Sequence, residues 1–456
     1  MRTPHPLATV LLVLANRQTH AQVAGTFAPA MTCESLKTAS LADARITDVV
    51  AVTPSAPGGP HCRVSGVIGK EINFVALLPT TWNGRFLMGG GGGLVGSVDN
   101  QAAAEVNNGY ATAGTDTGHQ GTPLQGGWAL GNEERRINFG SLAVHRTTET
   151  VKALIQAYYG KAPVKSYFVG CSNGGRQAMM ETQRYPEDFD GVVAGAPAYD
   201  FTEVATSFIR SPEDKAGADC LTKAQRAAVA VIYGPVTDKD GVIYPGQPFG
   251  GEGQAAGWPA WITGAGSLIP VSGSTKAPSV QWAFGTEIFK YLVFGDSTWN
   301  YARYDLSKAR TDLARAATYY NAVNADLSPC AARGGKLIIW HGWSDPALNA
   351  LASIRYFQEA RARSKAVDAN LRLFLLPGVL HCAGGTGPDR VEWPRVIADW
   401  VEGGKAPGRV IASKMGADSK PTRTRPLCPY PEVAAWTGKG STDSEENFAC
   451  RASRRR

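Results

Sequence analysis

The sequence lacks several features that would point to particular classes of protein. It has no C-x-x-C pair, which argues against zinc ribbons and thioredoxin-like redox chemistry. No apolar run beyond the N-terminus is long enough to span a bilayer, so no membrane partner is expected. Lysine and arginine form no stripe interleaved with aromatic residues, and the formal net charge is only +7, so nucleic acid is not an expected partner. Internal repeats and low-complexity tracts are also missing.

The N-terminus and the cysteines both indicate export. Arg2 precedes a short apolar stretch at residues 7–15, and Thr19-His20-Ala21 offers a small-x-small cleavage site. This pattern predicts a signal peptide over residues 1–21, with a disordered start as the alternative. Eight cysteines, an even number, fit an oxidising compartment. We therefore expect a secreted or periplasmic protein.

Strand-like and helix-like segments alternate on either side of a different middle region. Strands are predicted at residues 71–78, 85–88, 110–115, 164–169, 192–193, 336–340 and 371–376, and helices at 141–159, 175–184, 350–360 and 393–402. Residues 200–330 are instead rich in Gly, Pro and aromatic residues. The pattern predicts an α/β catalytic domain at 22–199 and 331–456 with an inserted lid domain at 200–330. A second structural domain, with the aromatic residues in its core, is the alternative.

A nucleophile motif lies between a predicted strand and a predicted helix. Gly170-Cys171-Ser172-Asn173-Gly174 matches the G-x-S-x-G elbow of α/β-hydrolases, although a chance match is the alternative in a chain with 52 glycines. Asp345 and His381 each follow a later strand, so the order Ser172, Asp345, His381 is the α/β-hydrolase order of nucleophile, acid and histidine. The histidine would take the serine proton, and the aspartate would orient the histidine. His341 and His119 compete with His381 for the role of base.

The oxyanion donors are expected at two places. One is the backbone N–H of Asn173, the residue after the nucleophile. The second should come from the run of five glycines at residues 89–93, with Gly91 and Gly92 as the candidates, because glycines after a strand let N–H groups approach a reacting oxygen. A flexible loop is the alternative.

The cysteines can be paired by local reasoning. If Ser172 and His381 meet, their neighbours Cys171 and Cys382 come within reach of a disulfide, which needs a Cα separation of about 4.4–6.8 Å. Cys33 and Cys62 flank the first segment, and Cys428 and Cys450 close a C-terminal loop. The expected bridges are Cys171–Cys382, Cys33–Cys62, Cys428–Cys450 and, by remainder, Cys220–Cys330.

Together these residues resemble the tannase/feruloyl esterase family. The resemblance rests on Cys-Ser-Asn-Gly-Gly-Arg at residues 171–176, on Asp345 and on the pair His381-Cys382, and similar segments occur at 115–119, 184–191 and 194–197. It implies an α/β-hydrolase fold, a small-molecule ester of an aromatic acid as substrate and no required cofactor. Family members include tannases, feruloyl esterases and mono(2-hydroxyethyl) terephthalate hydrolases.

The middle region departs from the family pattern. Members usually carry a longer lid with a calcium loop of several aspartates, whereas only residues 238–242 are similar to it here. Asp238, Asp240 and the Val242 carbonyl are the candidate ligands of a structural calcium ion, with a solvated turn as the alternative. The short lid leaves no residue to which substrate reading can be assigned.

The expected activity is that of a feruloyl-esterase-like serine ester hydrolase. Tannase and mono(2-hydroxyethyl) terephthalate-type activities are the alternatives within the family. An amidase or peptidase would use the same triad, and a non-catalytic binding protein would use the same scaffold. The sequence predicts no particular oligomeric state.

Overall fold

The computed structural model describes residues 25–53, 59–210, 222–264 and 279–453. The predicted signal peptide and Cys220 lie outside the described residues, so both predictions concerning them stand as made. Among the described residues, no helix combines the length and the apolar character that crossing a membrane requires.

A nine-stranded mixed sheet forms the centre of the molecule. Its strands are β1 (Ala44–Val52), β2 (His61–Ile68), β3 (Ile72–Pro79), β4 (Arg85–Gly89), β5 (Ala111–Thr115), β6 (Lys165–Cys171), β7 (Gly191–Gly195), β10 (Lys336–Gly342) and β11 (Leu371–Leu376). Their order is β1-β2-β3-β5-β4-β6-β7-β10-β11. The first three strands and β5 pair antiparallel, and the run from β5 to β11 is parallel. The carboxyl ends of β4, β6, β10 and β11 therefore meet at one edge of the sheet.

Helices cover the sheet. They are α1 (Glu133–Ile137), α2 (Ala143–Tyr159), α3 (Asn173–Arg184), α4 (Phe201–Arg210), α5 (Lys223–Tyr233), α6 (Trp258–Trp261), α7 (Val280–Glu287), α8 (Ala309–Asp312), α9 (Ala314–Tyr320), α10 (Ser328–Ala332), α11 (Ala350–Arg363) and α12 (Trp393–Gly403), with π-helical turns at Asn138–Leu142 and Ile288–Phe294. Strand β6 is buried at Tyr167 and Phe168, since parallel strands are covered on both faces. Two hydrophobic clusters result, and the smaller one packs α12 against the sheet.

The middle region at 200–330 contributes no described strand to the central sheet. It holds α4 to α10 and a two-stranded hairpin of β8 (Val236–Asp238) and β9 (Gly241–Tyr244). Phe201, Tyr244, Phe289 and Tyr320 belong to the same hydrophobic cluster as the sheet residues. The described part of the insertion thus shares the core of the catalytic domain, while the predicted domain boundaries remain a prediction.

Several strands were not predicted from the sequence. Strands β1 and β2 form the antiparallel edge, and four short strands near the C-terminus pair as two hairpins, namely β12 (Val410–Met415) with β13 (Pro421–Leu427) and β14 (Glu432–Trp436) with β15 (Phe448–Ala452). Strand β1 alternates half-buried and exposed residues, so it carries no apolar run to mark it.

Three of the four predicted disulfides are formed. They are Cys33–Cys62, Cys171–Cys382 and Cys428–Cys450, with Cα separations of 5.5, 5.9 and 5.6 Å. Cys330 is buried and has no disulfide partner among the described residues. Its pairing with Cys220 stays a prediction.

Candidate active site

Ser172 stands in a tight strand-to-helix turn. It follows β6 directly and precedes the first residue of α3, with φ 65° and ψ −123°. A positive φ at a residue with a side chain costs about 1–3 kcal/mol and persists only where the surroundings hold it. Glycines allow the turn to close, because a Cβ on Gly170 would lie 2.5 Å from the Gly174 carbonyl oxygen and one on Gly175 would lie 2.3 Å from the Gly195 carbonyl oxygen. The half-buried serine is therefore held at the carboxyl edge of the sheet.

Asp345 and His381 meet at the same edge. Nδ1 of His381 lies 2.9 Å from Oδ2 of Asp345, and Oδ1 of Asp345 accepts backbone N–H bonds from Ala347 and Leu348 at 2.8 and 2.9 Å. Because an ionised carboxylate only accepts hydrogen bonds, Nδ1 carries the proton and Nε2 is left to accept one. The structure thus pairs these two residues in the geometry of a general base and its orienting acid.

The surroundings of Asp345 keep it ionised. Burial of this carboxyl opposes its charge, but the imidazoles of His381 and His341 outweigh burial and lower its pKa below the ordinary value. His341 Nε2 lies 3.4 Å from Asp345 Oδ2. A negative charge is therefore maintained against His381, which is the arrangement that stabilises an imidazolium.

The two competing histidines are buried and lie within hydrogen-bond distance of other groups. His341 is buried, with Nδ1 at 2.8 Å from the Ser353 hydroxyl and Nε2 at 2.9 Å from the Leu348 carbonyl oxygen. His119 is fully buried. Its Nε2 lies 2.9 Å from the Leu94 carbonyl oxygen, and its ring stacks on that of Trp128. The side chain of His381 is 13% exposed where it contacts Asp345, whereas that of His341 is 1% exposed.

The disulfide Cys171–Cys382 joins the turn around Ser172 (the serine turn, residues 171–173) to the loop between β11 and α12 that carries His381 (the histidine loop, residues 377–392). Consecutive Cα atoms lie about 3.8 Å apart, so with the bridge at 5.9 Å the Cα atoms of Ser172 and His381 are separated by at most about 13.5 Å. Sγ of Cys382 lies 3.7 Å from Nε2 of His381, and Cys382 itself has φ 60°. The bridge therefore packs against the reactive edge of the imidazole.

The glycine run contacts the serine turn, but not through the expected free donors. The N–H of Gly91 donates to Gln177 Oε1 at 3.0 Å, and the N–H of Gly92 donates to Asp99 Oδ2 at 2.9 Å. Both groups are committed to side chains, so the expectation that Gly91 and Gly92 present free N–H groups to an oxyanion needs correction. The N–H of Asn173 lies in the first turn of α3, where a helix offers no acceptor of its own.

Other side chains that the sequence analysis missed support the turn. Gln101 Oε1 accepts the N–H of Cys171 at 2.7 Å. Arg176 donates to Asn173 within α3, and Gln177 accepts the N–H of Gly91 from the glycine run. The arginine was visible within the elbow motif, whereas Gln101 carries no local signal because it lies 70 residues from its partner.

The insertion contacts the acid and the histidine. The ring of Trp261 lies edge-to-face on His381 with centroids 5.0 Å apart. Gln281 donates to the Pro346 carbonyl oxygen at 2.8 Å, and a Cβ on Gly251 would lie 2.9 Å from Cβ of Ser344. The middle region thus packs directly beside the segments that carry Asp345 and His381.

The residues predicted to bind calcium are occupied by side chains of the protein. Asp238 Oδ2 accepts a bond from Arg310 Nε at 2.6 Å, and the Val242 carbonyl oxygen accepts one from Arg310 Nη2 at 3.1 Å. The carboxylate of Asp240 contacts Lys239. Calcium takes about six to eight oxygen ligands. Here the Arg310 guanidinium already binds two of the three candidate ligands, Asp238 and the Val242 carbonyl oxygen. These residues do not fit a calcium ion, which corrects the expectation.

A separate acidic cluster lies on α2, on α3 and in the segment that follows α3. His145, Glu181 and Asp188 offer ligand atoms that all lie within 4.8 Å of one another. His145 Nδ1 is 2.7 Å from Asp188 Oδ2, and Lys152 donates to the Asp188 carbonyl oxygen. Burial, followed by the charge of Asp188, raises the pKa of Glu181 well above its ordinary value. The cluster has cationic neighbours of its own, and no step of the chemistry is assigned to it.

Comparisons with known proteins agree with this arrangement. A family model described as tannase and feruloyl esterase matches residues 59–218 and 209–451. A probable feruloyl esterase from Arthroderma benhamiae is 32% identical over 92% of this chain and 93% of its own length. Mono(2-hydroxyethyl) terephthalate hydrolase from Piscinibacter sakaiensis is 29% identical over 89% and 87%.

The solved structures show the same fold. Feruloyl esterase B from Aspergillus oryzae superposes with a TM-score of 0.80 at 26% identity, covering 92% of this chain and 99% of that one. Tannin acyl hydrolase from Aspergillus niger gives a TM-score of 0.72 at 21% identity, covering 92% and 95%. The predicted α/β-hydrolase fold is confirmed.

Proposed function

This chain belongs to the tannase and feruloyl esterase family and is a carboxylic ester hydrolase of aromatic esters, and we propose that it works through an acyl-enzyme formed on Ser172. The observation that carries this proposal is the 2.9 Å contact between His381 Nδ1 and Asp345 Oδ2, beside a disulfide that joins the serine turn to the histidine loop.

The residues divide the reaction as follows. The Ser172 hydroxyl oxygen attacks the ester carbonyl carbon while His381 Nε2 takes the hydroxyl proton, and Asp345 stabilises the resulting imidazolium. The N–H of Asn173 donates to the oxyanion of the tetrahedral intermediate. Collapse of the intermediate breaks the ester bond, and His381 returns the proton to the leaving alcohol. A water molecule then attacks the acyl-enzyme by the same route and releases the acid. No metal or redox cofactor is required by these steps.

The acid half of the substrate is an aromatic acid, and we favour a hydroxycinnamate, as in feruloyl esterases. Trp261 supports an aromatic acid in general, because its ring packs against the imidazole of His381 with centroids 5.0 Å apart and brings an aromatic surface to the site. The relative from Piscinibacter sakaiensis is named for a terephthalate monoester, which makes that class the second candidate.

We further propose that the protein is exported. Three disulfides among the described residues support an oxidising compartment. Expression of the full chain in a secreting host, followed by N-terminal sequencing of the secreted protein, tests this. The expected mature chain begins at Gln22.

The experiment that tests the activity is a panel of initial hydrolysis rates. It contains methyl ferulate, methyl gallate, mono(2-hydroxyethyl) terephthalate and p-nitrophenyl butyrate, and a matched ferulic amide tests for amide cleavage. Ser172→Ala should abolish turnover and labelling by a fluorophosphonate probe, whereas the exposed control Ser97→Ala should retain both. Undiminished turnover in Ser172→Ala would overturn the proposed nucleophile. Preference for an ester other than the ferulate would replace the favoured substrate class.

A further inference from the structure

Arg176 is the most deeply buried cation that touches the serine turn. Its side chain is 0% exposed in the first turn of α3. Nε donates to Asn173 Oδ1, Nη1 to the Gly140 carbonyl oxygen and Nη2 to the Phe139 carbonyl oxygen, each at 2.8 Å. The planar fork of the guanidinium is therefore filled by neutral oxygens in three directions.

No ion pair between described residues includes this arginine. It lies instead over the rings of Phe139 and Phe201, at 4.7 and 5.5 Å from their centroids. Burial lowers the pKa of Arg176 to about 9, so the group is still charged at neutral pH. A buried charge with no counter-ion is expensive to keep, and simple packing would be met by an apolar side chain of the same size.

The arginine determines the orientation of the Asn173 side chain. A guanidinium has only donors, so it must face the oxygen of the amide and not its nitrogen. Nδ2 of Asn173 is thereby directed to the Gly91 carbonyl oxygen, to which it donates at 3.1 Å. The N–H of the same glycine donates to Gln177 Oε1. A chain of charged and neutral hydrogen bonds thus runs from Arg176 through Asn173 to the glycine run.

We propose that Arg176 is a positioning residue for the oxyanion site. By clamping the Asn173 side chain between itself and Gly91, it holds the Asn173 backbone N–H in the direction needed to meet the oxyanion. The inference rests on the proposed function, because it takes Ser172 as the nucleophile and the Asn173 N–H as the donor. It adds a residue that never touches the substrate.

The test uses Arg176→Lys, which keeps the charge but loses the fork. A donor displaced by about 1 Å can slow catalysis by about 100-fold. We expect kcat per titrated active site to fall by about 10- to 100-fold on methyl ferulate, with KM changed by less than about threefold. Affinity for an aryl boronic acid, which forms a tetrahedral adduct on Ser172, should fall by the same factor as kcat/KM.

The matched control is Arg136→Lys. Arg136 also donates to backbone carbonyl oxygens, those of Ala129 and Tyr291, but it has no bond to the serine turn. Its replacement should leave kcat per active site and boronate affinity unchanged. Equal kinetics in the two lysine variants would overturn the proposal.

A double-mutant cycle tests the route through Asn173. If Arg176 acts through this side chain, Arg176→Lys should lower kcat much less in an Asn173→Ala background than in the native one. Additive losses would overturn the proposal.

Asn173→Asp provides a second variant if Arg176→Lys fails to fold. It keeps an acceptor for Arg176 but places a carboxylate oxygen against the Gly91 carbonyl oxygen, so kcat should fall while the folded state is retained. Full kcat would overturn the inference. Failure of Ser172→Ala to lose activity would instead overturn the proposed function itself, so the two failures are distinguishable.

Discussion

Removal of the disulfide beside the triad should separate activity from stability. The perturbation is the double variant Cys171→Ala/Cys382→Ala, which deletes the bridge without leaving a free thiol at either end. The bridge spans 211 residues of chain and joins the end of β6 to the segment after β11, next to Ser172 and His381. The backbone is strained on both sides of the bridge, since Ser172 and Cys382 have φ values of 65° and 60°.

The expected size of the effect follows from these facts. Chain entropy alone would assign about 5 kcal/mol of stability to a loop of this length. Relaxation of the two strained residues would return about 1–3 kcal/mol each, so the unfolding free energy should fall by at most about 3 kcal/mol. The same relaxation moves the serine away from the histidine, and about 1 Å of movement would lower kcat by about 100-fold.

The matched control is Cys428→Ala/Cys450→Ala. That bridge spans 22 residues between two C-terminal segments, so chain entropy assigns it about 3 kcal/mol. We expect it to lose stability in denaturant titrations but to keep kcat per active site, measured after titration with a fluorophosphonate. If both double variants lost stability and both kept full kcat, the bridge would not position the triad.

Three further predictions concern other parts of the molecule. Arg310→Met should lower the thermal midpoint because it frees Asp238, whereas EDTA should leave the midpoint of the native protein unchanged; a fall with EDTA would restore the calcium expectation. Glu181→Gln should be more stable than the native protein at pH 8 but not near pH 4. Because the pKa of Glu181 is raised in the folded state, its contribution to stability is complete below the unfolded-state pKa and is lost as pH rises through the folded-state pKa. The loss is up to about 1.4 kcal/mol per pH unit. A difference in unfolding free energy between the two proteins that did not vary with pH would contradict this explanation. Trp261→Ala should lower kcat/KM about tenfold on methyl ferulate but little on p-nitrophenyl butyrate, and equal losses on both esters would refute an aromatic contact.

Much of the site could be predicted because it depends on order along the chain. Parallel strands bring their carboxyl ends to one edge, so a residue that follows a strand has a predictable position. This rule placed Ser172 after β6, Asp345 after β10 and His381 after β11. The cysteines next to two of these residues then limited the pairing, and the bridge between them is formed.

The donors of the oxyanion site could not be predicted in the same way. Whether a glycine N–H is free depends on which side chains reach it, and here Asp99 and Gln177 reach Gly92 and Gly91. Gln177 lies 86 residues from its glycine, on a different element. Composition predicts a loop that can approach a ligand, but only tertiary contacts determine which of its N–H groups remain available.

The calcium expectation was wrong for a related reason, because a side chain distant in sequence occupies two of the candidate ligands. Arg310 lies 72 residues from Asp238, so no local pattern pairs them. A guanidinium supplies two directed bonds from one rigid plane, to the Asp238 carboxylate and to the Val242 carbonyl oxygen. Arg176 binds carbonyl oxygens in the same way beside the serine. In both places an arginine on a helix binds carbonyl oxygens of a separate backbone segment. Beside Asp238 it also occupies the oxygens that a calcium ion would need.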